Sequence, residues 1–201
     1  QPAYHIELQA RHDATWQAGD IAEIQPGNSQ DRIDHFLQLH NIAADTVVTS
    51  LQMTLAQALW NRDLTVALQP NQDIEQLLTQ LPVLPSREYS IASIPEQHRL
   101  SLVVRQQRDA QGQLGLGSGW LTEHVLTQDT VALRIRSNES FHLITDDRPI
   151  ICIGNGTGIA SLLSLLSARA HARYTENWLI FGERQYSIDY FFKDTIQAWQ
   201  N

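Results

Sequence analysis

The sequence holds one cysteine, Cys152. An internal disulfide and a cysteine-based metal site are both excluded. Cys152 sits in the apolar run Ile150-Ile151-Cys152-Ile153, which predicts a buried, inert thiol. No run of eighteen apolar residues occurs, so no transmembrane helix is expected. Positive charge is scarce: 14 Lys and Arg stand against 22 Asp and Glu, for a formal net charge of -8 over 201 residues. A polyanion needs a basic face, so the charge argues against nucleic acid as a partner. There is no repeat, no low-complexity segment and no signal-peptide pattern at the N-terminus. The chain starts at Gln1 rather than Met and reads as a piece of something longer. What is present is the composition of a folded protein, 42% hydrophobic and 18% charged, in a length that suits one large domain or two small ones.

Taken in order, Tyr4 to Leu8 alternates as a half-buried strand. Trp16 to Asp20 reads as a turn and Ile21 to Ile24 as the next strand, which Pro26-Gly27-Asn28 ends. From Asp31 the period becomes helical, with Ile33, Phe36, Leu37 and Leu39-His40 expected on one side. A second helix follows Thr54 as N-cap, carrying Leu55, Ala58 and Leu59. A third runs from about Asp73 to Gln80, between Pro70 and Pro82. A helical block over about 30–82 thus interrupts a strand-rich unit. Strands are then expected at Leu100 to Val104, Val131 to Ile135 and, briefly, Phe141 to Leu143, with a turn at Arg108 to Gly112.

Three stretches carry chemistry. Pro85 to Ser93 includes Arg87-Glu88-Tyr89-Ser90. If extended, it turns Arg87, Tyr89 and Ile91 to one face. A guanidinium grips phosphate oxygens at two points, a phenol ring offers a flat face, and Ser90 adds a small hydroxyl. Taken alone, a surface Arg beside a half-buried Tyr explains the stretch better. Gly115-Leu116-Gly117-Ser118-Gly119 exposes backbone N–H groups before a helix expected near Ser118, which outlines a phosphate cradle. A loop capping an ordinary helix explains it equally well. Ile150 to Ile153 is a continuous apolar strand, as in a parallel sheet covered on both faces. It runs into Gly154-Asn155-Gly156-Thr157-Gly158 and a helix from Ile159, and Asn177 to Gly182 is a second parallel-type strand. Strand, glycine turn, helix is the layout of a nucleotide site. The turn is neither a P-loop nor a full G-x-G-x-x-G. A last helix is expected from Tyr190 to Trp199.

Together these stretches resemble the ferredoxin–NADP reductase superfamily, in its diflavin reductase branch, and within it the sulfite reductase flavoproteins. Arg87-Glu88-Tyr89-Ser90 is similar to the flavin R-x-Y-S motif. Gly115-Leu116-Gly117-Ser118 is similar to the pyrophosphate-facing FAD motif. Gly154 to Ala160 resembles the G-x-G-T-G-I-A turn, and Phe181-Gly182-Glu183-Arg184 the F-G-x-R strand end. Trp16 to Asp20 resembles the turn of the first barrel hairpin, with Ala18 where Pro is usual. Arg108 stands where a Tyr is usual, and Asn155 and Ser161 replace prolines.

The resemblance implies a six-stranded antiparallel, Greek-key FAD-binding β-barrel over residues 1–147 with a helical insertion at about 30–82. A truncated α/β nucleotide-binding half-domain would follow over 148–201. It implies FAD and NADPH as cofactors. Arg87 would pair with the FAD pyrophosphate, with Glu88 beside it in the motif. Tyr89 would stack on the isoalloxazine and Ser90, the catalytic candidate, would bond near N5. Leu102, Val103 and Val104 would line the adenosine side, and Gly115, Leu116, Gly117 and Ser118 would hold the pyrophosphate. Gly156, Thr157, Gly158 and Arg184 would meet NADPH. The implied activity passes a hydride from NADPH to FAD and electrons onward to an FMN, flavodoxin-like or sulfite reductase-like carrier, in the cytoplasm or on the cytoplasmic face of an anchored parent. The family's 2′-phosphate motif and its terminal aromatic would lie beyond residue 201. A non-catalytic flavin-binding module, or the FAD domain of a membrane-linked ferric or haem reductase, would share these motifs.

Overall fold

The computed structural model describes residues 1–9, 14–67, 73–183 and 191–200. The chain divides into two compact units. One comprises Gln1–Glu23, Glu88–Arg105 and Leu133–Asn201, and the other Ile24–Arg87 and Gln106–Ala132.

In the first unit, β1 (Ala3–Leu8) pairs antiparallel with β6 (Leu100–Arg105), Ala3 opposite Arg105 and Leu8 opposite Leu100. β6 is buried from Leu100 through Val104, so it lacks the alternation of a strand with one wet face. A three-stranded sheet has the order β5 (Arg87–Ser90), β2 (Ile21–Ile24), β7 (Leu133–Arg136), and Ile24 and Arg87 are counted with the second unit. A single antiparallel bridge, Ile91 to Leu102, ties the chain after β5 to β6. The described strands thus form small sheets of two and three strands.

The same unit carries a parallel pair. β8 (Ile150–Asn155) lies beside β9 (Asn177–Gly182), with Cys152 opposite Leu179. The crossover between them is α5 (Ile159–His171). Period 2 in the strands puts Cys152 and Leu179 on one face, where Leu162 and Leu166 of α5 cover them. The other face departs from expectation: Ile151, Ile153, Trp178 and Ile180 are 61%, 70%, 68% and 52% exposed. An apolar run predicts a strand covered on both sides, but α5 supplies a cover on one side only.

The second unit is the helical block. Its core joins α1 (Gln30–Leu39), the hairpin β3 (Val47–Val48) and β4 (Met53–Thr54), α2 (Leu55–Ala58) and α3 (Ile74–Gln80). Ile33, Phe36, Val48, Leu55, Leu59, Leu77 and Leu81 meet there. Leu39 does not join them and is 70% exposed. At about 100° per residue it points away from the Ile33 face, whereas His40 returns to pack its ring, tilted by 53°, against Phe36 at 4.6 Å between centroids. Thr54 caps α2 as expected, in a reciprocal box with Gln57. Pro70 lies outside the described residues.

Three other elements differ from the sequence reading. β7 starts at Leu133 rather than Val131. The helix expected near Ser118 begins earlier as α4 (Leu116–Gly119) and widens into a π turn, Trp120–His124. Within it the Thr122 hydroxyl donates back to Ser118 O at 2.7 Å, a bond that competes with the α ladder. Phe141 to Leu143 is not a strand; Glu139–Phe141 is a 3₁₀ turn, pulled into shape by the Asp20 contacts described below. The last helix is α6 (Lys193–Gln200); Tyr190, its expected start, lies outside the described residues. No helix of the described residues is long and apolar enough to cross a membrane.

Candidate functional site

Within the second unit, Arg87 lies on a glycine backbone. A Cβ built on Gly117 would stand 2.5 Å from Arg87 Cγ and 3.2 Å from Cδ, so only glycine permits this approach. Arg87 also donates to Pro85 O at 3.2 Å. Its fork is thus folded against the start of α4. The Ser118 hydroxyl accepts from Gln107 N–H at 2.9 Å, and Gly115 N–H donates to Gln107 O at 2.9 Å. Those bonds fix the Gly115–Ser118 turn to the strand-like segment at Gln107. Four residues of helix carry little dipole, so the charge on offer here is the Arg87 guanidinium. Arg108 is spent on its own turn, donating to Gly112 O at 2.9 Å.

Along β5, Arg87, Tyr89 and Ser90 are half-buried and Glu88 is exposed, so the alternation expected of an extended segment holds from Arg87 to Tyr89 and stops at Ser90. Glu88 pairs with Arg136 at 2.7 Å, and Arg136 also reaches Glu23 at 3.0 Å. Glu88 is thus part of a surface ion-pair ladder. Leu102, Val103 and Val104 are buried in β6 and face Ile6, His5 and Tyr4 across the ladder.

The second glycine turn belongs to the first unit. β8 ends at Asn155, Gly156–Gly158 forms a 3₁₀ turn, and α5 begins at Ile159. Gly156 has φ +55, and a Cβ on Gly154 would come within 2.8 Å of Leu162 Cδ1. One glycine serves the turn and the other lets helix pack on strand. Two charged groups that sequence reasoning missed stand at this turn. Arg105, the last residue of β6, pairs with Glu183, the first after β9, at 2.7 Å. Arg105 ends β6, and Glu183 follows β9 at the variable position of the F-G-x-R stretch, so the end of a strand is the signal that could have marked them. Arg184 lies outside the described residues. Arg169 is 2% exposed and committed elsewhere. It donates to the Asn177 side chain and to Glu176 O, and its guanidinium lies 5.2 Å from the Tyr174 ring centroid. It pins the end of α5 to the start of β9.

The turn Trp16 to Asp20 is anchored by polar groups no motif marked. Asp20 Oδ2 accepts from Gln17 N–H at 2.8 Å, and Oδ1 accepts from Asn138 N–H at 3.1 Å and meets His142 Nε2 at 2.6 Å. Burial alone would raise the Asp20 carboxyl, but the bonds from Gln17, His142 and Asn138 outweigh it and hold it below the usual carboxylate range. Gly19 N–H donates to Ser164 Oγ of α5 at 3.1 Å. Burial raises the Cys152 thiol, with Arg169 opposing, as an inert core cysteine requires. Among the described residues, no group of three or more His, Cys, Asp or Glu is placed to hold a metal ion.

No protein-family model matches the chain. It is 35% identical over 133 residues to the sulfite reductase [NADPH] flavoprotein alpha-component of Mannheimia succiniciproducens, covering 63% of this chain and 22% of that protein. It is 36% identical over 132 residues to the same component from Sodalis glossinidius, covering 62% and 22%. NADPH oxidoreductase A of Dictyostelium discoideum is 33% identical over 135 residues, covering 64% and 21%. The chain therefore spans about a fifth of the length of the curated relatives it matches. Among solved structures, the ferredoxin-NADP+ reductase from Plasmodium falciparum superposes with a TM-score of 0.63 at 16% identity, covering 98% of this chain and 57% of that one. The chain has the ferredoxin–NADP+ reductase fold and is a sequence relative of the sulfite reductase flavoproteins.

Proposed function

We propose that this chain is the FAD-binding core of an NADPH-dependent reductase of the diflavin type, and an FAD-dependent oxidoreductase by activity. The observation that carries the reading is the close approach of Arg87 to Gly117. It joins two motifs thirty residues apart that the resemblance assigns to one pyrophosphate, through a contact that a Cβ on Gly117 would break. Likeness to the flavoprotein components of NADPH sulfite reductases supports it.

Bound FAD supplies the chemistry of accepting a hydride from NADPH and passing electrons on singly. In this reading Arg87 and the Gly115–Ser118 turn hold its pyrophosphate, and Glu88 stays in its ion pair. Tyr89 stacks on the ring system and Ser90 bonds near N5. Leu102, Val103 and Val104 line the adenosine side. Gly156, Thr157, Gly158 and Arg184 meet NADPH, and the electrons go to an FMN or flavodoxin-like carrier in the cytoplasm. The FAD unit is a six-stranded Greek-key barrel over 1–147 with the insertion at about 30–82, and the nucleotide half-domain runs over 148–201. The purified chain should show a flavin absorbance spectrum and, when denatured, release FAD. A second phosphate motif is redundant for a monophosphate, so FMN as the main released species would refute the reading.

One observation favours a second reading, a flavin-binding module without nucleotide-driven turnover. The described nucleotide half has only two parallel strands, and one apolar face, with Ile151, Ile153, Trp178 and Ile180, is exposed. Stopped-flow mixing of the FAD-loaded chain with NADPH separates the two: rapid bleaching of the flavin band belongs to the reductase and none to the module.

A further inference from the structure

The Arg105–Glu183 pair is poorly explained as fold stabilisation alone. Neither residue belongs to a core cluster, and for a pair this far buried the cost of taking both charges out of water offsets much of their attraction. Their position is what is unusual. A Cβ built on Gly156 would lie 3.5 Å from Glu183 Oε1 and 3.9 Å from Arg105 NH2. The pair therefore stands directly at the glycine turn. Its side chains are 27% and 10% exposed. Arg105 is steadied from two further sides, donating to Gln1 O at 3.2 Å and lying 5.8 Å from the Phe191 ring centroid.

The turn opens a helix of 13 residues, α5, with no acidic residue in its first turn. The start of such a helix attracts negative charge. In this structure a carboxylate already stands at the glycine turn that leads into α5, that of Glu183, paired with Arg105. An incoming phosphate meets a cation already neutralised and a carboxylate of its own sign.

We propose that Arg105 and Glu183 form a charge gate on the glycine turn: Glu183 competes internally for the anion position, and Arg105 is the cation that a dinucleotide pyrophosphate takes from it. This rests on the reading of the Gly154–Ala160 turn as a pyridine-nucleotide site. The gate acts on charge common to NADPH and NADH. It therefore lowers affinity for both alike and says nothing to the 2′-phosphate. Adenosine, which carries no phosphate, is indifferent to it.

The test is calorimetric titration of the FAD-loaded chain with NADP+, NAD+ and adenosine, for wild type, Glu183→Gln and Arg105→Gln. Glu183→Gln keeps the shape and removes the charge. It should tighten NADP+ and NAD+ by about tenfold each, equivalent to about 1.4 kcal/mol, an ordinary size for one partly screened charge. The gain should shrink in about 0.5 M salt, where the screening length is only a few ångströms. Arg105→Gln should weaken both dinucleotides, and adenosine should not change. Should Glu183→Gln fold poorly, Glu183→Ser and titration of wild type with inorganic pyrophosphate at low and high salt serve instead. Pyrophosphate that binds wild type without salt dependence overturns the gate. Equal dinucleotide affinity in wild type and variants also overturns it while leaving the nucleotide reading intact. A gain for NADP+ alone overturns it too, because Glu183 would then lie at the 2′-position. Failure of every form to bind any dinucleotide overturns both.

Discussion

Gly117→Ala offers a decisive test of the flavin cradle. The new Cβ would be 2.5 Å from Arg87 Cγ, 3.2 Å from Cδ and 3.3 Å from Nε. Carbon atoms rest about 3.5–4.0 Å apart, so Arg87 must retreat by about 1 Å. Cγ is near the root of the side chain, so the guanidinium moves with it. Overpacking of this kind costs about 1–3 kcal/mol, and replacing glycine in a helical turn returns up to about 1 kcal/mol. Apo-protein stability should thus fall by about 0–3 kcal/mol, which a urea titration measures and a folded domain tolerates. The flavin effect should be larger. A hydrogen bond to a charged group is worth about 1.5–3 kcal/mol, so displacing Arg87 should raise the FAD dissociation constant about tenfold to hundredfold. Titrating apo-protein into FAD and following quenching of flavin fluorescence measures it. Gly158→Ala is the control, since a Cβ there meets nothing within 4 Å; it should leave FAD affinity unchanged. Gly117→Ala binding FAD as tightly as wild type, or losing no more than Gly158→Ala, would refute the assignment of Arg87 to the pyrophosphate.

Tyr89→Ala should weaken FAD more than Arg108→Ala, because ring stacking is worth about 1–3 kcal/mol while Arg108 is occupied by its own turn at Gly112 O; the same titration showing the reverse order would reject the stacking role. Asp20→Asn should destabilise the fold near neutral pH by about 1–3 kcal/mol, the cost of weakening bonds to a charged acceptor. The Asp20 carboxyl is depressed in the fold. Its contribution is therefore complete above the unfolded carboxylate value of about 3.9 and disappears as pH drops through the lower folded value. Urea unfolding of wild type and variant should differ near neutral pH and converge in strong acid; a constant difference across that range would show that ionisation of Asp20 is not the cause.

Much of the architecture was legible because periodicity speaks directly about burial. The spacing of Ile33, Phe36 and Leu37, the Thr54 cap, and the strand–glycine–helix run from Ile150 all appear where their patterns place them. Leu39 was misplaced because adjacency in sequence was read as sharing a face, which a helix does not allow. The segment at Phe141 looked extended, yet Asp20, more than a hundred residues earlier, captures the Asn138 N–H and the His142 ring and bends it into a turn. No local propensity reports such a partner.

The same division holds at the candidate site. Residue type and spacing along the chain determined which groups are available: a guanidinium and a phenol ring two residues apart, and two glycine turns that each free backbone N–H groups. Those are properties of local covalent structure and backbone freedom, which each stretch carries by itself. Tertiary structure alone decided which charges those turns meet. Arg87 is drawn onto Gly117 from thirty residues away in sequence, and Glu183 is brought to Arg105 across 78 residues. Electrostatic energy depends on distance in space, and only packing of the strands that end at Arg105 and Gly182 sets that distance. The exposed face of Ile151, Ile153, Trp178 and Ile180 belongs to the same class: an apolar strand states what it would bury, and the elements around it decide whether it does.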